Sequence, residues 1–315
     1  MNQPKAIPYS SYAMLLASAA LWGGTWVVGK LVAQVLDPWN ASFIRFSIAS
    51  ITLIFLTWKL EGLKSLKIKR SQLITLFLLS LSGIFGYCYF FFLGLQTTSA
   101  SRAGIIIACC PVTIAFSSSL LSKKRIPWPS LMGMFLALLG ATTVISNGNP
   151  LLLLQGKFER GDLCIVGCVL CWTFYTLVGK SIIKTMPPIA VVTWACSLGT
   201  IMMFPFALQS GFSIKIMQLQ PADWVGLLYL SILATSFAYY WYYIGLRNVG
   251  PIQTSIFINM VPLFALGLGV IFLDEKITTA MIYGAMLVLT GIVLIIRNNI
   301  QSKKATIAKQ DPCHG

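Results

Sequence analysis

Charge is what this chain is short of. Only 10% of its 315 residues are Asp, Glu, Lys or Arg, against about 25% in soluble proteins. It has a single histidine, His314, and eight acidic residues. The acids are Asp37, Glu61, Glu159, Asp162, Asp223, Asp274, Glu275 and Asp311. They fall between the apolar runs, at the ends of those runs or in the C-terminal stretch. No pair of carboxylates is therefore placed mid-run for acid–base hydrolysis, and no His stands ready to activate a nucleophile. Metal-ligand spacing is missing as well: Cys164, Cys168 and Cys171 share one helix face, but no His or carboxylate completes a site. The expectation is no cofactor, no metal and no enzyme. Coupling through a carboxylate protonated inside a membrane is disfavoured for the same reason.

What is present is apolar. The chain is 57% hydrophobic, and runs near 20 residues recur along it, each long enough to cross a bilayer core of about 30 Å. Pro and Gly clusters punctuate them. The pattern predicts an all-α integral membrane protein with ten transmembrane helices. The spans are near 11–35, 40–59, 71–94, 98–121, 127–146, 161–181, 187–209, 222–246, 252–272 and 278–297. The first run is too long for the h-region of a signal peptide. Seven of the eight Cys lie in such runs, where they act as small apolar residues. A net charge of +15 would suit a nucleic-acid partner, but no basic helix or aromatic RNA-binding motif accompanies it. With the N-terminus inside, sixteen Lys and Arg fall on the inner side, six on the outer side, and Arg45 lies within a span, which accounts for all 23. Basic residues favour the cytoplasmic side, so both termini are expected in the cytoplasm, with a lipid bilayer as the one obligatory partner.

The chain also repeats itself. At an offset of 150, Trp22 meets Trp172, Val28 meets Val178, Gly29 meets Gly179 and Lys30 meets Lys180. At 151, Gly94-Leu95 meets Gly245-Leu246, Pro111 meets Pro262, Gly133 meets Gly284 and Gly140 meets Gly291. We read two repeats, 11–147 and 161–297, followed by a polar tail, 298–315. Five spans is an odd number, so the second repeat enters the membrane from the opposite side. The charges follow: Lys123-Lys124-Arg125 ends span four, whereas Asp274-Glu275-Lys276 ends span nine. Inverted five-helix repeats are an arrangement that secondary transporters use for alternating access.

In order and spacing, LWGGTWVVGK (Leu21 to Lys30), Arg45-Phe46, the Pro111 and Pro262 spans and Asp274-Glu275-Lys276 resemble the drug/metabolite transporter superfamily in its ten-helix, two-EamA form. The likeness covers about 11–297. Lys124 departs from it, standing where the first domain often has Glu. The resemblance implies a transporter of a small metabolite, often an exporter of amino acids or related compounds, in a bacterial cytoplasmic membrane. It does not name the solute, and nothing in the sequence sets the oligomeric state.

Candidate substrate contacts follow from position. Trp22, Thr25, Trp26 and Gly29 share a face of span one; Trp172, Tyr175, Thr176 and Gly179 form the matching face of span six. Such faces suit a ligand with apolar and polar parts. Helix packing or an interfacial aromatic belt competes, although the two Trp are central and belts sit at span ends. Arg45, roughly 8 Å below the outer surface at about 1.5 Å per residue, either attracts a substrate carboxylate or snorkels to headgroups. Tyr87 and Tyr89 in span three, and Tyr239 within the run Tyr239 to Tyr243, are candidates against simple packing. So are Asn259 and Gln253 in span nine. The paired glycines of spans five and ten read as a packing stripe. The pathway is expected along spans one, three, four, six, eight and nine. A channel is the alternative, opposed by the isolated rather than continuous polar residues; a membrane enzyme or scaffold is the more distant one.

Overall fold

A computed structural model describes residues 9–121, 123, 127–149, 159–183, 185–249, 257 and 260–310. All regular structure among them is helical. The spans are α1 (Tyr9–Val35), α2 (Pro38–Leu60), α3 (Arg70–Thr97), α4 (Ala100–Leu121), α5 (Trp128–Ile145), α6 (Arg160–Ile182) and α7 (Pro188–Gln209). A short α8 (Phe212–Met217) precedes α9, which runs through Pro221–Leu228, Tyr229–Phe237 and Ala238–Val249. Then come α10 (Val261–Leu273) and α11 (Thr279–Gln310). Eight of these helices are long and apolar enough to cross a membrane, and Val261–Leu273 and Thr279–Gly291 are shorter apolar helices. The chain is an all-α membrane protein. Helix α11 continues to Gln310, so residues 298–310, read above as a polar tail, are helical. Asn259, Gln253 and Lys124 lie outside the described residues, as does nearly all of span nine before Met260.

Turn chemistry starts the helices where the sequence predicts. Asp37 caps α2 by accepting from the backbone N–H of Trp39 and Asn40 at 3.1 and 3.2 Å, with Pro38 at the first helical position. Pro188 likewise stands at the first helical position of α7, which follows Pro187 without a side-chain cap. Large apolar side chains face outward along the bundle: Ile51, Ile74, Leu120, Ile201 and Ile271 are each 67–74% exposed. In water that surface would be an aggregation hazard; against hydrocarbon it is the favoured one.

The closest-packed helix pairs join one half of the chain to the other: α5 with α11, α2 with α7, α1 with α10 and with α9, and α3 with α6. Three pairs match a helix to its own equivalent in the other repeat, and each runs antiparallel. In α2 and α7, Ser50 meets Thr200 at 3.3 Å and Thr57 meets Thr193 at 2.8 Å. In α4 and α10, a methyl built on Gly104 would lie 2.7 Å from Ala265 and one on Gly269 2.7 Å from Ser101 Oγ. In α5 and α11, one on Gly140 would lie 2.5 Å from the Gly284 carbonyl, and one on Gly291 would lie 2.3 Å from the Gly133 carbonyl. Rising residue numbers in one helix meet falling numbers in its equivalent. This is the geometry of an inverted repeat, and Ser50 and Thr200, equivalent at an offset of 150, touch at its pseudo-twofold axis. At these glycines the α5–α11 seam brings backbone against backbone, and Val144 and Val288 pack beside them.

Two helices depart from α geometry at equivalent places. Ser80–Gly86 in α3 and Tyr229–Phe237 in α9 are π-helical. Hydroxyls support the wider turns: Thr235 and Ser236 donate to the carbonyls five residues back, Leu230 at 2.7 Å and Ser231 at 3.1 Å. Such turns are rare and concentrate at functional sites. Helix α4 also breaks, into a turn at Ala108–Cys109. Pro111 has no N–H for the α ladder, which accounts for the break.

Candidate functional site

The departures from α geometry converge on a cavity of about 90 Å³ open to water-sized spheres. Trp22, Thr25 and Trp26 enter from α1, Arg45 from α2, Tyr87 from α3, Trp172 from α6 and Tyr239 from α9. Ile107, Ala108 and Cys110 flank the break in α4, and Val261 and Pro262 begin α10. Each of the six spans expected along the pathway contributes, and α2 is a seventh. The α4 and α10 positions had no individual signal in the sequence beyond the two prolines.

Of the candidates singled out above, Trp22, Thr25, Trp26, Arg45, Tyr87, Trp172 and Tyr239 thus surround one space. Tyr175 is buried behind it, its ring 5.4 Å from that of Trp172. Asn259 is outside the described residues. Tyr89 turns away and stacks on Trp39 at 4.3 Å.

The aromatics form a connected chain around the cavity. Tyr242 lies 5.3 Å from Trp22, Trp22 5.3 Å from Tyr239, Tyr239 6.2 Å from Trp172, and Trp172 5.7 Å from Tyr87. Tyr87 then stacks on Phe91 at 6.3 Å, and Phe91 lies 5.0 Å from Trp26. Tilted and edge-to-face contacts of this kind are favoured by the ring quadrupoles. The indole N–H of Trp22 donates to the Ala234 carbonyl at 3.0 Å. Ala234 lies within the π-segment of α9, so the bond fixes the ring of one repeat to the backbone of the other.

Arg45 is 5% exposed, so the snorkelling alternative is not what the fold adopts. Its Nε and Nη2 both donate to Thr235 Oγ1 at 3.2 Å, and Nη1 makes a long contact of 3.9 Å with Cys88 Sγ. The guanidinium carbon lies 5.2 Å from the ring centre of Phe46 and 5.6 Å from that of Phe91, within cation–π range. Among the described residues no carboxylate pairs with it.

A second polar assembly sits where α1 and α3 end and α4 and α6 begin. Arg102 and Asp162 form an ion pair, with side chains 7% and 0% exposed. Arg102 also donates to Asn147 Oδ1 at 3.3 Å and to the Ile145 carbonyl at 3.2 Å. Thr98 donates its hydroxyl to Asp162, and Lys30 Nζ donates to the Thr98 carbonyl at 2.7 Å. Glu275 caps α4 by accepting from the N–H of Ala100 and Ser101 at 2.7 and 3.0 Å. Arg102 and Lys30 are two of the six basic residues on the outer side in the sequence-based topology, and Asp162 is one of the acids at the run ends. The fold joins all three in one network, with Asp162 in the first turn of α6, and both members of the ion pair are buried. The available signal was two opposite charges in the first turns of spans four and six. Beneath the network the backbones touch, for a methyl on Gly161 would lie 2.5 Å from the Gly94 carbonyl.

Comparison with known proteins agrees with this architecture. The model of the EamA-like transporter family matches residues 9–146 and 159–297. An uncharacterized transporter of Archaeoglobus fulgidus is 31% identical over 285 residues, 90% of this chain and 96% of that protein. The uncharacterized transporter YyaM of Bacillus subtilis is 24% identical, covering 89% of this chain and 92% of its own. A WAT1-related protein of Arabidopsis thaliana is also 24% identical, with 90% of this chain and 85% of its own covered. A crystal structure 18% identical in sequence covers 91% of this chain and 97% of its own with a TM-score of 0.63, which shows a shared fold. The chain belongs to the EamA-like transporter family.

Proposed function

We propose, with that family membership as the premise, that this membrane transporter is a secondary carrier. It moves a small organic solute through the aromatic cavity by alternating access, and it acts as a transporter rather than an enzyme. The observation that carries the reading is that Trp22 and Trp172, equivalent positions of the two repeats, face one space and are bridged by Tyr239. A site at the meeting of two inverted halves is reached from either side as the halves rock against each other. Tyr175 supports the Trp172 wall from behind. The repeats, 11–147 and 161–297, are the moving units. The end bearing Arg102 and Asp162 faces outward when both termini are cytoplasmic, as the Lys and Arg bias supports. An amino acid or related compound, and export from a bacterial cytoplasm, are the cargo and direction that the family resemblance supports.

The test is counterflow in proteoliposomes with a panel of labelled amino acids and related metabolites. Saturable counterflow lost in Trp22→Ala and Trp172→Ala is the expected result. Flux that does not saturate would favour a channel, and full flux in both variants would remove these residues from the pathway.

A further inference from the structure

We infer that the cargo carries a carboxylate or an equivalent monoanion, bound by Arg45 with its apolar part against the rings. The inference rests on the proposed function and names the class of solute that the site takes. Among the described residues that line the cavity, Arg45 is the one charged side chain. A buried guanidinium without a counter-charge is costly in a membrane interior, and the protein meets that cost only in part.

The donors show which part. Thr235 Oγ1 occupies the side fork of the guanidinium, made by Nε and Nη2. The hydroxyl is itself committed as a donor to the Leu230 carbonyl at 2.7 Å, so it accepts from Arg45 and is held there by the π-turn. Cys88 Sγ, at 3.9 Å, is a weak acceptor for Nη1. Of five N–H groups, one on each terminal nitrogen is left without a partner among the described residues. The free N–H of Nη2 belongs to the end fork, which Nη2 makes with Nη1 and whose geometry matches the two oxygens of a carboxylate. Phe46 and Phe91 lie beside the cation and limit the swing of its head. An aromatic box without Arg45 would suit an organic cation; with Arg45 in the wall, a cation meets repulsion.

Three near-isosteric probes separate the cases: 3-phenylpropionate, 3-phenylpropanamide and 3-phenylpropylammonium. Binding to the purified, detergent-solubilised full-length protein is read by tryptophan fluorescence, because Trp22, Trp26 and Trp172 line the site. A ligand-induced rise in melting temperature gives an independent readout. The carboxylate is expected to bind tightest. Arg45→Gln should weaken it roughly ten- to a hundredfold, as for loss of charge-assisted hydrogen bonds, and bring it level with the amide. Arg45→Lys keeps the charge but loses the fork, and should fall between. Equal binding of all three probes, lost in Trp172→Ala but unchanged in Arg45→Gln and Arg45→Lys, would overturn the inference and leave the aromatic cavity as the site. Binding insensitive to Trp22→Ala, Trp172→Ala and Arg45→Gln alike would overturn both. Preference for the ammonium, or no binding of any probe, would overturn the anion assignment.

Discussion

Replacing Asp162 by Asn tests the proposal that its ion pair with Arg102 holds one end of the pathway shut, the outer end in the orientation proposed above. The ion pair it makes with Arg102 is buried on both sides. The neutral amide would leave Arg102 with the Asn147 side chain and the Ile145 carbonyl but no counter-charge. Removing one partner of such a pair costs about 3–5 kcal/mol. The pair ties α4 to α6 directly above the Gly94–Gly161 backbone contact, so the cost falls on whichever conformation keeps these helix ends together. If the closed arrangement bears all of a 3 kcal/mol loss, the ratio of closed to open shifts by roughly two orders of magnitude, since about 1.4 kcal/mol is a factor of ten. Cys110, which lines the cavity and is 5% exposed, is the reporter. Its modification from outside by a membrane-impermeant maleimide, in right-side-out vesicles and with the other cysteines replaced, should be much faster in Asp162→Asn than in the parent. The double variant Arg102→Met/Asp162→Leu removes both charges and should return most of the stability lost in the single one. Labelling at the parental rate, from a variant that folds and is equally abundant, would refute the idea that this pair keeps the outer end closed.

Other expectations follow from single contacts. Gly284→Leu should lower the melting temperature, with a cost of about 1–3 kcal/mol from overpacking, because the Gly140 carbonyl already lies 2.7 Å from an added methyl; an unchanged melting curve would mean that the α5–α11 seam is looser than described. Thr235→Val removes the acceptor of the Arg45 side fork and should destabilise by about 1–3 kcal/mol, more than Thr52→Val, whose hydroxyl donates only to a carbonyl of its own helix at 2.9 Å; parity in thermal denaturation would contradict this. Glu275→Ala should cost about 0.5–2 kcal/mol through the lost cap of α4, measured in the same way.

The ten spans and their doubling were legible because both leave strong linear signals: uncharged length, and an offset that stays at 150 or 151. The aromatic walls were legible for a related reason. Trp22 and Trp172 sit at the middle of their spans, where an interfacial belt has no use for them. The surroundings of Arg45 were not legible. Its acceptor, Thr235, is 190 residues away in the other repeat, and the π-turn that holds that hydroxyl has no composition of its own. Arg102 and Asp162 were hidden by position, since a charge in the first turn of a span reads as a surface residue until another helix covers it. The run Tyr239 to Tyr243 could not be sorted by pattern, because five consecutive residues point in every direction around a helix. Packing selects Tyr239 for the cavity and sets Tyr242 against Trp22.

The two π-segments act as a phase setting for the site. Each accommodates an extra residue within a helix that is α-helical before and after it. A residue advances an α-helix by about 100° at 3.6 residues per turn. The wider turns take up that rotation, so everything C-terminal to the segment keeps the face it would have in an uninterrupted helix one residue shorter. Deleting one residue between 229 and 237 would let α9 close into regular α-helix without harming its apolar length. Tyr239 would keep its face, whereas Thr235 would lose the carbonyl five residues back that holds its hydroxyl toward Arg45. Closing a π-turn with its residue kept is the change that rotates a whole wall of the cavity at once: Tyr239 and everything after it would turn by about 100° around the axis of α9.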